Sequence, residues 1–224
     1  MVYSVQARFN MIKNQLEPAG VSDELLLNTL ASIPRESFLP EALAANAYLD
    51  EDIPLNEERY LVEPRVIAKM LQAAEIKKGE KILDIACGTG YSAAIMAELG
   101  GQVVAVESDG ELAELARRNL RELKSKVELF STSLSGGYAL KAQYDLIFIN
   151  GSIELLSDDI AEQCAEGGRI LAVKAHEANG GIGVANLGTV TRWNKIDGQW
   201  HETKLFDASV PLLSDFRKKP QFQF

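Results

Sequence analysis

The apolar positions change rhythm about a third of the way along the chain. In the first part they are spaced for helices: Leu26, Leu30 and Ile33 recur at i, i+4 and i+7 on one face. Ser22 stands where an N-cap belongs, Asp23 and Glu24 suit the positive end of the helix dipole, and Pro34 closes the segment. Short helical patches follow, broken by Pro40 and Pro54, and Pro64 opens a helix with Val66, Ile67, Met70 and Leu71 on its apolar side. From residue 81 short apolar runs alternate with amphipathic stretches. KILDIA (81–86), QVVAVE (102–107), VELF (127–130), DLIFIN (145–150) and RILAVKA (169–175) read as buried strands. YSAAIMAEL (91–99), a stripe of Leu112, Leu115, Ala116, Asn119, Leu120 and Leu123, and DDIAEQCAE (158–166) read as the helices between them. Such alternation predicts an α/β fold, a doubly wound, mostly parallel sheet covered on both faces. TVTRWNKID and QWHETKLFD alternate around Gly198 and predict a C-terminal antiparallel hairpin. We expect one domain over residues 1–224, with a helical N-terminal cap over 1–75 and the sheet-bearing core over 76–224.

Composition narrows the partners. The 224 residues are 46% hydrophobic and 25% charged, enough for a sizeable core without metal or disulfide staples. Lys+Arg total 23 against 32 Asp+Glu, a net charge of −9, so the basic face that a phosphate backbone requires is not expected. Cys87 and Cys164 are too few for a disulfide framework or a zinc-ligand pattern and read as packed side chains. No apolar run approaches the roughly 18 residues that span a bilayer, and the start MVYSVQARFN has no secretory core. The expectation is a cytoplasmic protein with no nucleic-acid, membrane or metal partner, of unstated oligomeric order.

The chemistry concentrates in KILDIACGTGY. A strand ends in Asp84, a tight loop carries Gly88 and Gly90, and a helix begins at Tyr91. Glycines let such a backbone turn sharply and approach a ligand, and the helix start presents unpaired N–H groups. The next strand ends in Glu107, near the ~20-residue offset at which a carboxylate accepts both hydroxyls of a ribose. A carboxylate beside the loop opposes a pyrophosphate but attracts an ammonium. The pattern therefore favours S-adenosylmethionine, which has a ribose diol, a free ammonium and no phosphate, over a dinucleotide.

The whole chain resembles the protein-L-isoaspartate O-methyltransferase family. MIKNQLEPAGVSDELLLNTLASIPRESFLPEAL resembles that family's N-terminal cap, with its Ile-Pro-Arg-Glu-x-Phe-x-Pro stretch at 33–40. AYLDEDIPL resembles its Ala-Tyr-x-Asp-x-x-x-Pro-Leu segment and ILDIACGTGYSAA its cofactor loop, while Tyr144-Asp145 and Gly167-Gly168 fall at matching distances. The resemblance implies a class I S-adenosylmethionine-dependent methyltransferase fold with a Rossmann-like core. It also implies methylation of the α-carboxylate of isoaspartyl residues in damaged proteins or peptides, a repair reaction. On this reading Asp84, Ala86, Cys87, Gly88, Gly90, Tyr91, Glu107, Ser108, Ser133 and Leu134 hold the cofactor, and Tyr60 and Val62 border the transferred methyl.

The departures from the family pattern are local. The usual Thr-x-Ser-x-Pro is Tyr60-Leu61-Val62-Glu63-Pro64, so both hydroxyl positions are changed. Thr132, Ser133 and Leu134 stand where Gly-Asp-Gly is usual, so Ser133 is the replacement for an adenine-holding aspartate. Val173-Lys174-Ala175 replaces Pro-Val-Gly, and Ala86 stands where a first glycine is common. Two other readings stay open: a methyltransferase of this fold with another substrate, and a catalytically silent module that binds the cofactor or a partner. Arg59 and Tyr60 occupy the substrate segment, His176 ends a strand on the expected substrate side, and His201, Trp193 and Trp200 read as hairpin surface or edge. Asp145 reads as closing a turn, and Arg117, Arg118 and Arg121 as a solvated helix face. The hairpin and the terminal PQFQF either seal an edge or meet a partner.

Overall fold

The architecture is that of a computed structural model in which residues 2–176 and 185–218 are described. Helix α1 (Val2–Met11) runs into a π-helical turn over Ile12–Leu16, and α2 (Glu24–Ser32) follows. Two 3₁₀ turns, Arg35–Phe38 and Glu41–Asn46, lead to a two-stranded ladder of β1 (Ile53–Pro54) and β2 (Tyr60–Leu61), and α3 (Pro64–Ala74) completes the N-terminal part. The alternating part contains β3 (Lys81–Ile85), α4 (Tyr91–Glu98), β4 (Gln102–Glu107), α5 (Gly110–Glu122) and β5 (Glu128–Ser131). It continues through β6 (Tyr144–Ile153), α6 (Asp158–Ala161), β7 (Cys164–Ala175), β8 (Ala185–Ile196) and β9 (Gln199–Pro211).

The large sheet has the order β5-β4-β3-β6-β7-β8-β9. The first five are mutually parallel, and β8 and β9 are antiparallel additions. Alternate residues of each central strand face opposite sides. Ile82, Val103, Ala105, Leu146 and Phe148 pack with α3 and α4, whereas Leu83, Ile85, Val104, Ile147 and Ile149 pack with Leu134, Ile160, Leu213 and Phe216. Two-sided burial explains why these strands are continuous apolar runs. The chain order reverses at β3, which has β4 on one side and β6 on the other, and ligands of open α/β sheets bind outside the strand C-termini at such a point.

The N-terminal helices are fastened by capping. Asp23, not Ser22, caps α2: its side chain accepts from Leu26 N at 3.0 Å, while Ser22 N donates to Gln72 Oε1 at 2.7 Å. The C-terminus of α3 is held by arginines from the sheet, since Arg169 donates to the Ala74 and Glu75 carbonyls and Arg192 Nη1 to that of Ala73 at 3.2 Å. Cations suit the carbonyl end of a helix. Arg169 is itself paired with Glu80 at 2.8 Å.

Other expectations need correction. The helix over 158–166 stops at Ala161, and Cys164 lies in β7, where its side chain is buried. Leu123 lies past the end of α5 and is exposed, because the buried stripe finishes at Leu120. Asp145 does not close a turn; its Oδ2 accepts from Lys81 N at 2.8 Å and ties β6 to β3 where both begin. The hairpin forms as expected through a two-residue turn, Asp197 (φ 51°) and Gly198 (φ 72°), the left-handed pair that matches strand twist. The terminal PQFQF lies outside the described residues. Among those described, no helix is long and apolar enough to cross a membrane.

Candidate active site

Three polar residues of the central strands meet at the switch point: Asp84 near the end of β3, Glu107 at the end of β4 and Asn150 within the irregular last part of β6. The loop after β3 reaches α4 through three left-handed residues, Ala86 (φ 58°), Gly88 (φ 55°) and Gly90 (φ 93°). Gly90 precedes the first turn of α4, and a Cβ there would meet the Leu120 side chain at 3.3 Å, so the glycine lets α4 lie close to α5. Ala86 adopts the same hand with a side chain, at about 1–2 kcal/mol of strain.

Asp84 is wholly buried. Ser92 Oγ donates to its Oδ2 at 2.7 Å, and Asn150 Nδ2 donates to its Oδ1. Burial outweighs these two hydrogen bonds and pushes the carboxyl up to about 7, with the nearby Glu107 charge adding to the rise. Glu107 is also wholly buried, and its two oxygens accept four hydrogen bonds, three on Oε1 and one on Oε2. Its Oε2 accepts from Gly88 N at 2.9 Å, and its Oε1 from Ser108 N at 2.9 Å, Asp109 N at 3.0 Å and Arg59 Nε at 3.1 Å.

A small cavity of about 20 Å³ lies beside the loop, and Tyr60, Val62, Ala86, Cys87, Gly88 and Tyr91 all line it. These are six of the residues expected to form the site. Others fall elsewhere. Asp84 stands behind Ser92 and Asn150, which themselves face the cavity. Ser108 lines a separate outer cleft of about 450 Å³ with Asn56, Arg59 and Asp109. Ser133 is exposed and pairs with the Ser135 hydroxyl at 3.2 Å, while the Leu134 side chain is fully buried in the core. His176 Nε2 lies 2.8 Å from Thr189 Oγ1, which donates to Asp207 Oδ1, so the imidazole belongs to the β8–β9 ladder. Trp193 is buried and donates to Glu202 Oε2 at 3.1 Å, and His201 is exposed.

Arg35, Ser92 and Asn150 were not among the expected site residues. Ser92 follows Asp84 by eight residues on the first turn of the next helix, and Asn150 is the polar residue after the apolar run LIFI of β6; both were legible as partners of the Asp84 carboxylate. Arg35 carries no such signal. Its Nε donates to Ala47 O and its Nη2 to Val62 O, each at 2.7 Å, with its guanidinium carbon 4.9 Å from the centre of the Tyr91 ring. Burial pulls its pKa below the usual arginine value.

A family model described as protein-L-isoaspartate(D-aspartate) O-methyltransferase matches residues 7–180, which takes in most of the cap, the glycine loop, Asp84, Glu107 and Asn150. The chain belongs to that family. A protein-L-isoaspartate O-methyltransferase of Koribacter versatilis is 33% identical over 210 residues, 93% of this chain and 91% of its own length. One of Methanospirillum hungatei is 31% identical over 218 residues, 96% and 97% of the two chains. A solved protein-L-isoaspartate O-methyltransferase superposes with a TM-score of 0.77 at 24% identity, over 92% of this chain, which spans 65% of that longer one. A Plasmodium falciparum structure of the same description, in complex with S-adenosyl-L-homocysteine, gives 0.77 at 18% identity over 93% and 98%. The fold is thus the class I S-adenosylmethionine-dependent methyltransferase fold. Tyr60 and Val62 stand on the cavity wall of this member of the protein-L-isoaspartate O-methyltransferase family.

Proposed function

We propose that this chain is an S-adenosylmethionine-dependent O-methyltransferase that methylates the α-carboxylate of isoaspartyl residues in damaged proteins. The observation carrying this reading is the meeting of the glycine loop, Asp84 and Glu107 at the switch point in a chain of this family. The donor set suits the cofactor by kind. The loop backbone would hold the methionine part, Asp84 behind Ser92 and Asn150 would supply the negative charge for an ammonium, and Glu107 would accept from a ribose diol. The volume does not suit it in this conformation. About 20 Å³ is far below the roughly 300–1,000 Å³ of ligand pockets, so binding requires a wider opening.

When bound, the cofactor supplies an electrophilic methyl group on a sulfonium. The residues of this chain orient the reactants and exclude water, which can supply about 7–11 kcal/mol. Tyr60 and Val62 border the acceptor position, and Arg35 fixes the Val62 backbone. An acceptor carboxylate of ordinary pKa, near 4, is already ionised at neutral pH, so no general base is required.

Incubation with methyl-labelled cofactor and an isoaspartyl peptide tests the reading. Base-labile label on the peptide is expected, and its absence at high enzyme concentration with cofactor bound would replace the substrate. That second reading, another acceptor for the same fold, is favoured by one observation: the cavity wall at Val62 offers no hydroxyl.

A further inference from the structure

The carboxylate best placed to hold a ribose is covered by a side chain. Arg59 is nearly enclosed, and its Nε sits on Glu107 Oε1 at 3.1 Å. Its Nη2 donates to Ser108 Oγ at 2.9 Å and lies 3.6 Å from Asp215 Oδ2. Its Nη1 donates to the Glu58 carbonyl at 3.2 Å and lies 3.9 Å from the Glu58 carboxylate. The turn carrying this arginine is clipped down on two further sides. Asn56 Oδ1 accepts from the Glu58 and Arg59 amides while its Nδ2 donates to Asp109 at 2.9 Å, and Ser214 Oγ donates to Glu58 Oε2 at 3.0 Å. Arg59 thus lines the outer cleft, its partner Glu107 bonds the amide of Gly88 on the inner cavity, and a C-terminal 3₁₀ turn over Ser214–Phe216 braces the arginine through Asp215.

We propose that Arg59 is a latch on the cofactor site: its guanidinium covers Glu107 on the Oε1 side, so a nucleoside diol enters only as the 56–59 turn and the 214–216 turn release it. This rests on the cofactor reading above for the identity of the ligand, although the latch itself is independent of it. Two states follow, a latched one with the guanidinium on Glu107 and an open one in which diol hydroxyls replace it. The apparent affinity of the wild-type chain is lowered by the fraction of molecules that are open. Removing Arg59 raises that fraction, and removing the Asp215 brace raises it less.

The two cysteines provide a readout that needs no cofactor. Cys87 lines the inner cavity and is exposed when the latch opens, whereas Cys164 is buried in β7 away from it. Wild type, Arg59→Gln and Asp215→Asn are compared for the rate of thiol labelling at each cysteine and for S-adenosyl-L-homocysteine binding by calorimetry. The expected result is faster Cys87 labelling in both variants with Cys164 unchanged, and binding about tenfold tighter in Arg59→Gln and less so in Asp215→Asn. If Arg59→Gln labels at both cysteines, it has unfolded, and Asp215→Asn decides alone. Unchanged Cys87 labelling in the folded variants overturns the latch, as does weaker binding in Arg59→Gln, which would make the arginine part of the ligand surface. Faster Cys87 labelling with no binding in any variant upholds the latch and removes the cofactor reading instead.

Discussion

Ser92 Oγ donates to Asp84 Oδ2 at 2.7 Å, so the strand-end carboxylate of β3 is held by the first turn of the helix that follows it. Together with Asn150 these are neutral donors, and burial wins over them, leaving Asp84 with a pKa of about 7. In the unfolded chain its pKa is near 3.9. Between those values the native state holds a proton that the unfolded state has released, so this group's contribution to stability falls as pH rises from about 4 to about 7 and is flat above. Asp84→Asn removes that fall. The variant should be more stable than wild type at pH 8, by up to about 4 kcal/mol, and show little advantage at pH 4. Urea unfolding at the two pH values checks this; an equal difference at both would mean that Asp84 is ionised throughout.

Glu107 and Arg59 should be strongly coupled in the ligand-free protein. Glu107→Ala strips the partner from a buried guanidinium and from the amides of Gly88, Ser108 and Asp109, a loss of about 3–5 kcal/mol. Arg59→Met alone leaves Glu107 three backbone donors and should cost less. Combined, the two changes should cost clearly less than their sum, because the second removes the unpaired charge that the first creates. A denaturation cycle with additive losses would show that the pair is not a unit.

Arg35 joins the N-terminal segment to the cavity wall. Its hydrogen bonds to the Ala47 and Val62 carbonyls cross the region between the 3₁₀ turns and β2. Arg35→Met preserves much of the volume but orphans both carbonyls, each worth about 1–3 kcal/mol when left unsatisfied. Amide exchange should accelerate over residues 35–63 before it does in β3, β4 and β6. Uniform acceleration would mean that Arg35 supports the whole core instead.

Much of this was readable without coordinates because the strands are buried on both faces and their apolar runs are unbroken. QVVAVE coincides with β4, and the loop from Asp84 to Tyr91 sits where its glycines place it. What escaped was set by tertiary contacts. Gln72 claims the amide of Ser22 and moves the cap to Asp23. Residues 162–166 have helix-forming composition, yet the chain turns at 162–163, and Cys164 pairs with Tyr144 in the sheet, so β7 begins early. At the site the motif located both carboxylates, but periodicity says nothing about a partner 48 residues earlier, and Arg59 on Glu107 is such a partner. The charge that fills a site is harder to read than the charge that builds it.

Val62 is the position where a single atom tests the acceptor assignment. Its side chain is buried and lines the cavity without offering a hydroxyl, while Arg35 pins its carbonyl. Val62→Ser therefore places a hydroxyl on the cavity wall with little room for the backbone to drift. If the acceptor is an isoaspartyl carboxylate, a new hydrogen bond of about 1.5–3 kcal/mol, typical when one partner is charged, should raise kcat/KM on an isoaspartyl peptide by roughly tenfold or more. The same change buries a hydroxyl in the ligand-free protein and should lower its stability by about 1–3 kcal/mol, so thermal unfolding must be followed in parallel. A gain in kcat/KM on the peptide with cofactor affinity unchanged is the signature of a contact made with the reacting carboxylate, because a wider opening alone would also tighten cofactor binding. A variant that is destabilised, still binds the cofactor and gains nothing on the peptide would place the acceptor away from residue 62 and favour a different substrate.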